Sequence, residues 1–207
     1  MNNENLIKEI GVNGVAQTKY SGTRTIQTDS LGPNNFVLQE LTRGNGVFTF
    51  NSATTTNYPS TNFVDTDNNW NNVNAAQDEV ATDAHWGAEM TYDFYLNTYG
   101  RNSIDNAGFA LYSYVHYDVG MVNAFWDGQR MSYGDGSGGT PPLTALDVTA
   151  HEITHGLSTF TANFAGGNEP GALNEGFSDI AAKTIEHWAR PTNWNWIIGN
   201  DINLPIR

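Results

Sequence analysis

Leu146-Asp147-Val148-Thr149-Ala150-His151-Glu152-Ile153-Thr154-His155-Gly156-Leu157-Ser158-Thr159-Phe160 is the stretch on which the fold turns. It reads as one helix, and a second follows from about Gly171 to Ala189, where Pro191 stops it. Upstream the chain changes character. As far as Trp70 it is rich in Gly, Asn and Thr, with short apolar runs at Phe36-Val37-Leu38 and Gly46-Val47-Phe48-Thr49-Phe50. Gly32-Pro33-Asn34-Asn35 and Gly44-Asn45-Gly46 punctuate these runs, which therefore read as short strands joined by turns. Between them and the two helices, Val73, Ala76, Val80, Ala84 and Gly87 recur at helical spacing and predict a long helix over about 73–98. Phe109–Tyr117 and Met121–Met131 read as strands, and Tyr133–Gly139 as loop. Strands first and helices second indicate an α+β protein. The expected division is a β-rich lobe over 1–145 and a helical segment over 146–207.

His151-Glu152-Ile153-Thr154-His155 places two imidazoles four residues apart on one helix. At about 100° per residue they stand about 40° apart, so both reach one ion. Glu152 lies about 60° from His155, which suits a carboxylate handling the proton of a metal-activated water. The bland alternative is a solvated helix face carrying two histidines. A third ligand is available in Gly171-Ala172-Leu173-Asn174-Glu175-Gly176-Phe177-Ser178-Asp179, where Glu175 and Asp179 share a face. Two His and one Glu leave a fourth zinc position open, the pattern of a catalytic rather than a structural site. Ser158 and Thr161 stand where a metzincin needs Gly and His, which excludes that class.

The 207 residues carry 9 basic and 22 acidic side chains, a net charge of −13. That balance excludes nucleic acid and anionic membrane surfaces as partners, since phosphates would be repelled. No apolar run is long enough to span a bilayer, and Met1–Asn5 has no signal-peptide character. With no cysteine, any transition metal must be held by His, Asp or Glu.

The metal motif, Glu175 after a gap of nineteen residues, Asn123-Ala124-Phe125-Trp126, Met131-Ser132-Tyr133-Gly134-Asp135-Gly136 and Asp83-Ala84-His85 together resemble the thermolysin family of zinc metallopeptidases. The similarity runs from about Leu38 to Asp201. It implies zinc ligands at His151, His155 and Glu175, with Glu152 as general base and then general acid. It further implies that Asp179 holds His151, that Asn174 orients His155, and that Asn123 and the Ala124 backbone bind an extended peptide. The implied activity is zinc-dependent endopeptidase cleavage of polypeptides before an apolar residue, by a secreted monomer. An inactive zinc- and calcium-binding module is the alternative, and an Asn- and aromatic-rich binding domain with an accidental motif is a third.

The chain departs from the family at Gly166, which stands where a Tyr donor is expected, and the resemblance implies that it carries only the start of the family's C-terminal helical lobe, without that lobe's His donor. The resemblance therefore implies an incomplete cleft, with zinc binding intact and hydrolysis weak. It also implies calcium ligands at Asp147 and Glu186, with Asn195 and Asn200 replacing two further acids, and a second calcium loop at Asp65 and Asp67. Asp147 alternatively completes a capping box begun by Thr144, and Asp65-Thr66-Asp67-Asn68-Asn69 alternatively forms a solvated Asx turn. His85 and His116 are expected to be packed or hydrogen-bonded rather than ligating.

Overall fold

In the computed structural model, which describes residues 11–71, 74, 76–164 and 167–203, alternating buried side chains place the first strands against a long helix. Strands β1 (Val12–Gln17) and β2 (Thr23–Ser30) pair antiparallel, Val12 opposite Thr28 and Gln17 opposite Thr23. The Phe36–Leu38 run is strand β3 (Phe36–Val37). It is followed by β4 (Gln39–Glu40) and the longer β5 (Val47–Thr55). Strands β6 (Val64–Asp65) and β7 (Asn69–Trp70) complete the first sheet, ordered β6-β3-β2-β1-β7.

Helix α1 (Asp78–Tyr99) begins later than the periodicity predicts. Val73 lies outside the described residues, whereas Ala76 and Gln77 stand outside the helix. Asn74 accounts for the late start. Its Oδ1 accepts the Ala76 N–H at 3.0 Å and its Nδ2 donates to Asp78 Oδ2 at 2.7 Å, an Asx turn that competes with helical hydrogen bonding. Gly100, left-handed at φ 65°, closes the far end through its N–H to Leu96 O. Gly87 lets α1 approach Thr149 closely, since a Cβ there would lie 2.9 Å from Thr149 Cγ2.

Strand β8 (Leu111–Tyr117) runs parallel to β5. The run Met121–Met131 is a hairpin rather than one strand, with β9 (Ala124–Trp126) antiparallel to β10 (Met131–Tyr133). Asp127 and Gly128 make the turn. Asp127 Oδ1 accepts the N–H groups of Gln129 and Arg130 at 2.8 and 2.9 Å, and Gly128 takes φ 100°. Tyr133 is thus a fully buried strand residue, and the loop starts after it. The second sheet is ordered β4-β5-β8-β10-β9, which puts β9 at an edge.

Helix α2 (Leu146–Phe160) has the bounds read from the sequence. Helix α3 (Glu169–Ala189) starts two residues early because Pro170 fits the first turn, where no N–H is needed. One buried cluster includes Ala16, Val80, Leu146, Ile185 and Ile202, so the β-rich and helical segments share a core.

His85 sits on α1 at the centre of that core, with Nδ1 3.0 Å from Thr49 Oγ1 and Nε2 2.9 Å from Gln27 O. Burial, with a smaller push from Arg43, lowers its imidazole from 6.5 to about 4. The folded chain therefore keeps His85 neutral while the unfolded chain protonates it. This contribution is full above pH 6.5 and is lost as the pH falls toward 4, amounting to about 3 kcal/mol at roughly 1.4 kcal/mol per pH unit. Because buried carboxyls such as Glu89 shift in the opposite sense, the check is a difference: in urea unfolding, wild type should lose stability relative to His85→Gln as the pH falls from 7 to 4.

Candidate metal centre and cleft

Helix α2 carries His151, Glu152 and His155, and α3 carries Glu175 and Asp179. The packing of the two helices sets Glu175 Oε2 3.4 Å from His151 Nε2 and Glu175 Oε1 3.5 Å from His155 Nε2. Three ligand atoms, one from each of these residues, lie within 4.8 Å of one another, and no other such His, Cys, Asp or Glu group occurs among the described residues. Zinc bonds of about 2.0–2.1 Å in a tetrahedral site hold neighbouring ligand atoms about 3.3 Å apart, close to the two Glu175-to-imidazole separations, so the donor set suits zinc. The far nitrogen of His151, Nδ1, lies 2.9 Å from Asp179 Oδ1, a contact that fixes ring orientation.

His155 is held differently from the expectation. Its Nδ1 faces Ser178 Oγ at 3.2 Å, whereas Asn174 lines the cleft. Ser178 lies on α3 one residue before Asp179 and is fully buried, so one helical turn steadies both imidazoles. Only its position three residues beyond Glu175 could have marked it in the sequence.

The cleft over this trio has a volume of about 460 Å³. Asn123, Ala124, Trp126, Glu152 and Asn174 are among its walls. Because β9 is the edge strand, its backbone borders the cleft without a further strand beyond it. Gly134 and Gly136 donate N–H bonds to Asn123 O and Met121 O at 3.0 and 2.9 Å, fixing the segment that carries Asn123. Gly156 directly follows the second imidazole, and a Cβ there would meet Ile104 at 2.9 Å and Trp126 at 3.4 Å. Tyr133 is buried close to Glu152: burial first, and the Glu152 charge second, hold its phenol well above the usual range. Gly166, the position opposite the expected Tyr donor, lies outside the described residues.

The acids assigned to calcium are engaged within the protein itself. Asp65 Oδ1 accepts the N–H groups of Asp67 and Asn69 at 2.9 and 3.2 Å, and Asp67 Oδ1 accepts Asn69 N–H at 2.9 Å. That is an Asx turn closed on itself. Asp147 and Glu186 do come together, but around the Lys183 ammonium rather than an open cavity. Asp147 makes no capping box either, because Ala145 is the N-cap. His116 pairs through Nδ1 with Asp135 Oδ1 at 2.6 Å, a packed histidine as expected.

Comparison with known proteins agrees with this geometry. The family model described as thermolysin metallopeptidase, catalytic domain, matches residues 13–159, and the one described as thermolysin metallopeptidase, alpha-helical domain, matches 162–206. The chain is 41 % identical over 196 residues to the transglutaminase-activating metalloprotease of Streptomyces mobaraensis, covering 92 % of this chain and 25 % of that protein. To a thermolysin from Bacillus sp. (strain EA1) it is 42 % identical over 172 residues, covering 82 % and 31 %. Bacillolysin of Bacillus cereus gives 41 % over 196 residues, covering 93 % and 33 %. The chain thus spans a quarter to a third of the length of these relatives. Among solved structures, the precursor of protealysin, a metalloproteinase from Serratia proteamaculans, aligns with a TM-score of 0.64 at 30 % identity, covering 74 % of this chain and 48 % of that one. With two family models meeting at the junction of α2 and α3, where the His, His and Glu side chains converge, the chain belongs to the thermolysin metallopeptidase family.

Proposed function

We propose that the chain carries the zinc centre of a metalloendopeptidase, with His151, His155 and Glu175 as ligands and Glu152 as the proton-transfer group. The convergence of the three ligand atoms beside an edge strand carries this reading. When bound there, zinc supplies Lewis acidity that brings the pKa of water from 15.7 to near 7. The protein's own residues do the rest. An extended peptide lies along β9, whose backbone pairs with it while Asn123 meets its polar groups. Glu152, only 7 % exposed, stands where bulk water competes little for its proton. It takes a proton as the nucleophile attacks the peptide carbonyl and returns that proton to the departing amine. Asp179 and Ser178 hold the two imidazoles at fixed orientation throughout.

The preference for an apolar residue after the cleaved bond and the export of the enzyme rest on the family resemblance. Leu173, Phe177, Ile180 and Trp188 form an exposed apolar stripe along α3, 56, 43, 64 and 41 % exposed. That stripe supports the reading that further helical structure packs against α3. No described helix is long and apolar enough to cross a membrane. The test combines metal analysis with cleavage of a blocked peptide. One zinc per chain is expected, with any cleavage abolished by chelation and restored by zinc. Absence of stoichiometric zinc would refute the metal centre, and cleavage indifferent to chelation would refute the mechanism.

A further inference from the structure

A cluster of deeply buried charges outside the cleft lies where α2, α3 and residues 195–201 meet. Lys183, 2 % exposed on α3, directs Nζ at Asp147 Oδ2 at 3.3 Å, at Ile197 O at 3.2 Å and at Glu186 Oε2. Asp147 and Glu186 are themselves 2 and 3 % exposed. Asp147 Oδ2 also takes the Gly199 N–H at 2.9 Å, and its Oδ1 takes that of Val148 at 2.9 Å. Glu186 Oε1 is paired with Arg190, which reaches on to Asp201 Oδ2 at 2.7 Å.

Carboxylate oxygens and a backbone carbonyl are the donors a hard divalent cation would take, but such an ion wants six to eight of them. Three oxygens converge here, and an ammonium has three N–H bonds to offer. Lys183 therefore saturates the set, and its charge repels a second cation. Asn195, in the adjoining segment, turns its Oδ1 to the Ile197 N–H at 2.8 Å rather than toward the cluster.

We propose that Lys183 is a built-in counter-ion standing where a divalent cation would otherwise join α2, α3 and residues 195–201, so that this junction is held without calcium. The proposal is independent of the zinc centre. Arg190 extends the same arrangement to Asp201, leaving three carboxylates balanced by two cations. Without Lys183, Asp147 would lose its cation and Glu186 would keep only Arg190, so the two carboxylates would carry an unbalanced charge in the core that an external cation or protonation relieves.

The test is thermal unfolding of the zinc-loaded chain with and without millimolar calcium chloride. Wild type is expected to keep the same midpoint in both. Lys183→Ala is expected to melt roughly 6–20 °C lower and to recover part of that loss in calcium. Lys183→Arg, which keeps the charge, should remain indifferent to calcium. A wild-type midpoint that rises with calcium, the rise being lost in Asp147→Asn, would overturn the proposal. So would a Lys183→Ala variant that melts with wild type, or one destabilised and not recovered by calcium. If the alanine variant does not fold, wild type and Lys183→Arg decide: indifference of both supports the proposal, and a calcium response lost in Asp147→Asn refutes it.

Discussion

Glu152→Gln is expected to leave one zinc per chain in place while lowering peptide cleavage by roughly 10²–10⁴-fold, the usual worth of a positioned acid–base group. The substitution replaces one carboxylate oxygen by an amide nitrogen at nearly constant shape. His151, His155 and Glu175, which hold their ligand atoms within 4.8 Å of one another, are untouched. What changes is the ability to take up a proton and give it back. An amide does neither at neutral pH, so both halves of the proposed reaction stall, although the ligand set and the edge of β9 survive.

His155→Ala makes the contrasting control. It deletes a ligand and leaves Ser178 Oγ without the imidazole it faces at 3.2 Å, so zinc content and activity should fall together. Metal content by elemental analysis and initial cleavage rates, measured on the same preparations, separate the two cases. Equal rates for wild type and Glu152→Gln at equal zinc would exclude Glu152 as the proton carrier. Loss of zinc from Glu152→Gln would instead make it part of the metal's support.

The helix bearing the two histidines was legible because local chemistry decides it. A four-residue repeat on one helix survives any tertiary arrangement, and Glu175 and Asp179 repeat that spacing on α3. Ser178 was not legible, because its partner lies twenty-three residues away and any buried serine would look the same in sequence. Lys183 was hidden for the same reason in stronger form. Acidic side chains at Asp147 and Glu186 read as cation ligands, and nothing local shows that the cation is supplied 36 residues along the chain from Asp147. The strand error had another origin. Asp127-Gly128 is a hairpin signal, but the apolar residues on either side of it read as one continuous strand. Likewise, Ala76 keeps helical period with Val80, yet the Asn74 side chain holds that segment in a turn.

Arg43→Met is the change expected to cost most stability, about 3–5 kcal/mol, because it removes one cation from several buried acids. Arg43 holds Asp93 with both arms of its guanidinium, at 2.8 Å from Nε and 2.7 Å from Nη2. Its Nη1 lies 3.1 Å from Glu89 Oε1 and 3.7 Å from Glu40 Oε1. Glu40 and Glu89 are 0 and 1 % exposed, so solvent cannot replace what Arg43 supplies. The cluster joins the turn after β4 to α1, and through the Gln27 N–H bond to Glu89 at 2.8 Å it includes β2. Methionine keeps much of the side-chain volume, which leaves lost charge rather than a cavity as the cause.

The effect also has a pH signature. Burial pushes the Glu89 carboxyl from 4.5 up to about 8, with Arg43 the strongest force pulling it back. A carboxyl raised on folding contributes stability that is full below about pH 4.5 and is lost as the pH rises through 8. Removing Arg43 raises that carboxyl further, so the alkaline loss becomes larger. Wild type and Arg43→Met should therefore differ least near pH 5 and most near pH 9, by urea unfolding at each pH. Arg43→Lys, which restores charge without the two-armed grip on Asp93, should fall between them. A gap that is constant across this range would mean that Arg43 acts by packing, and that Glu89 is not the group its charge controls.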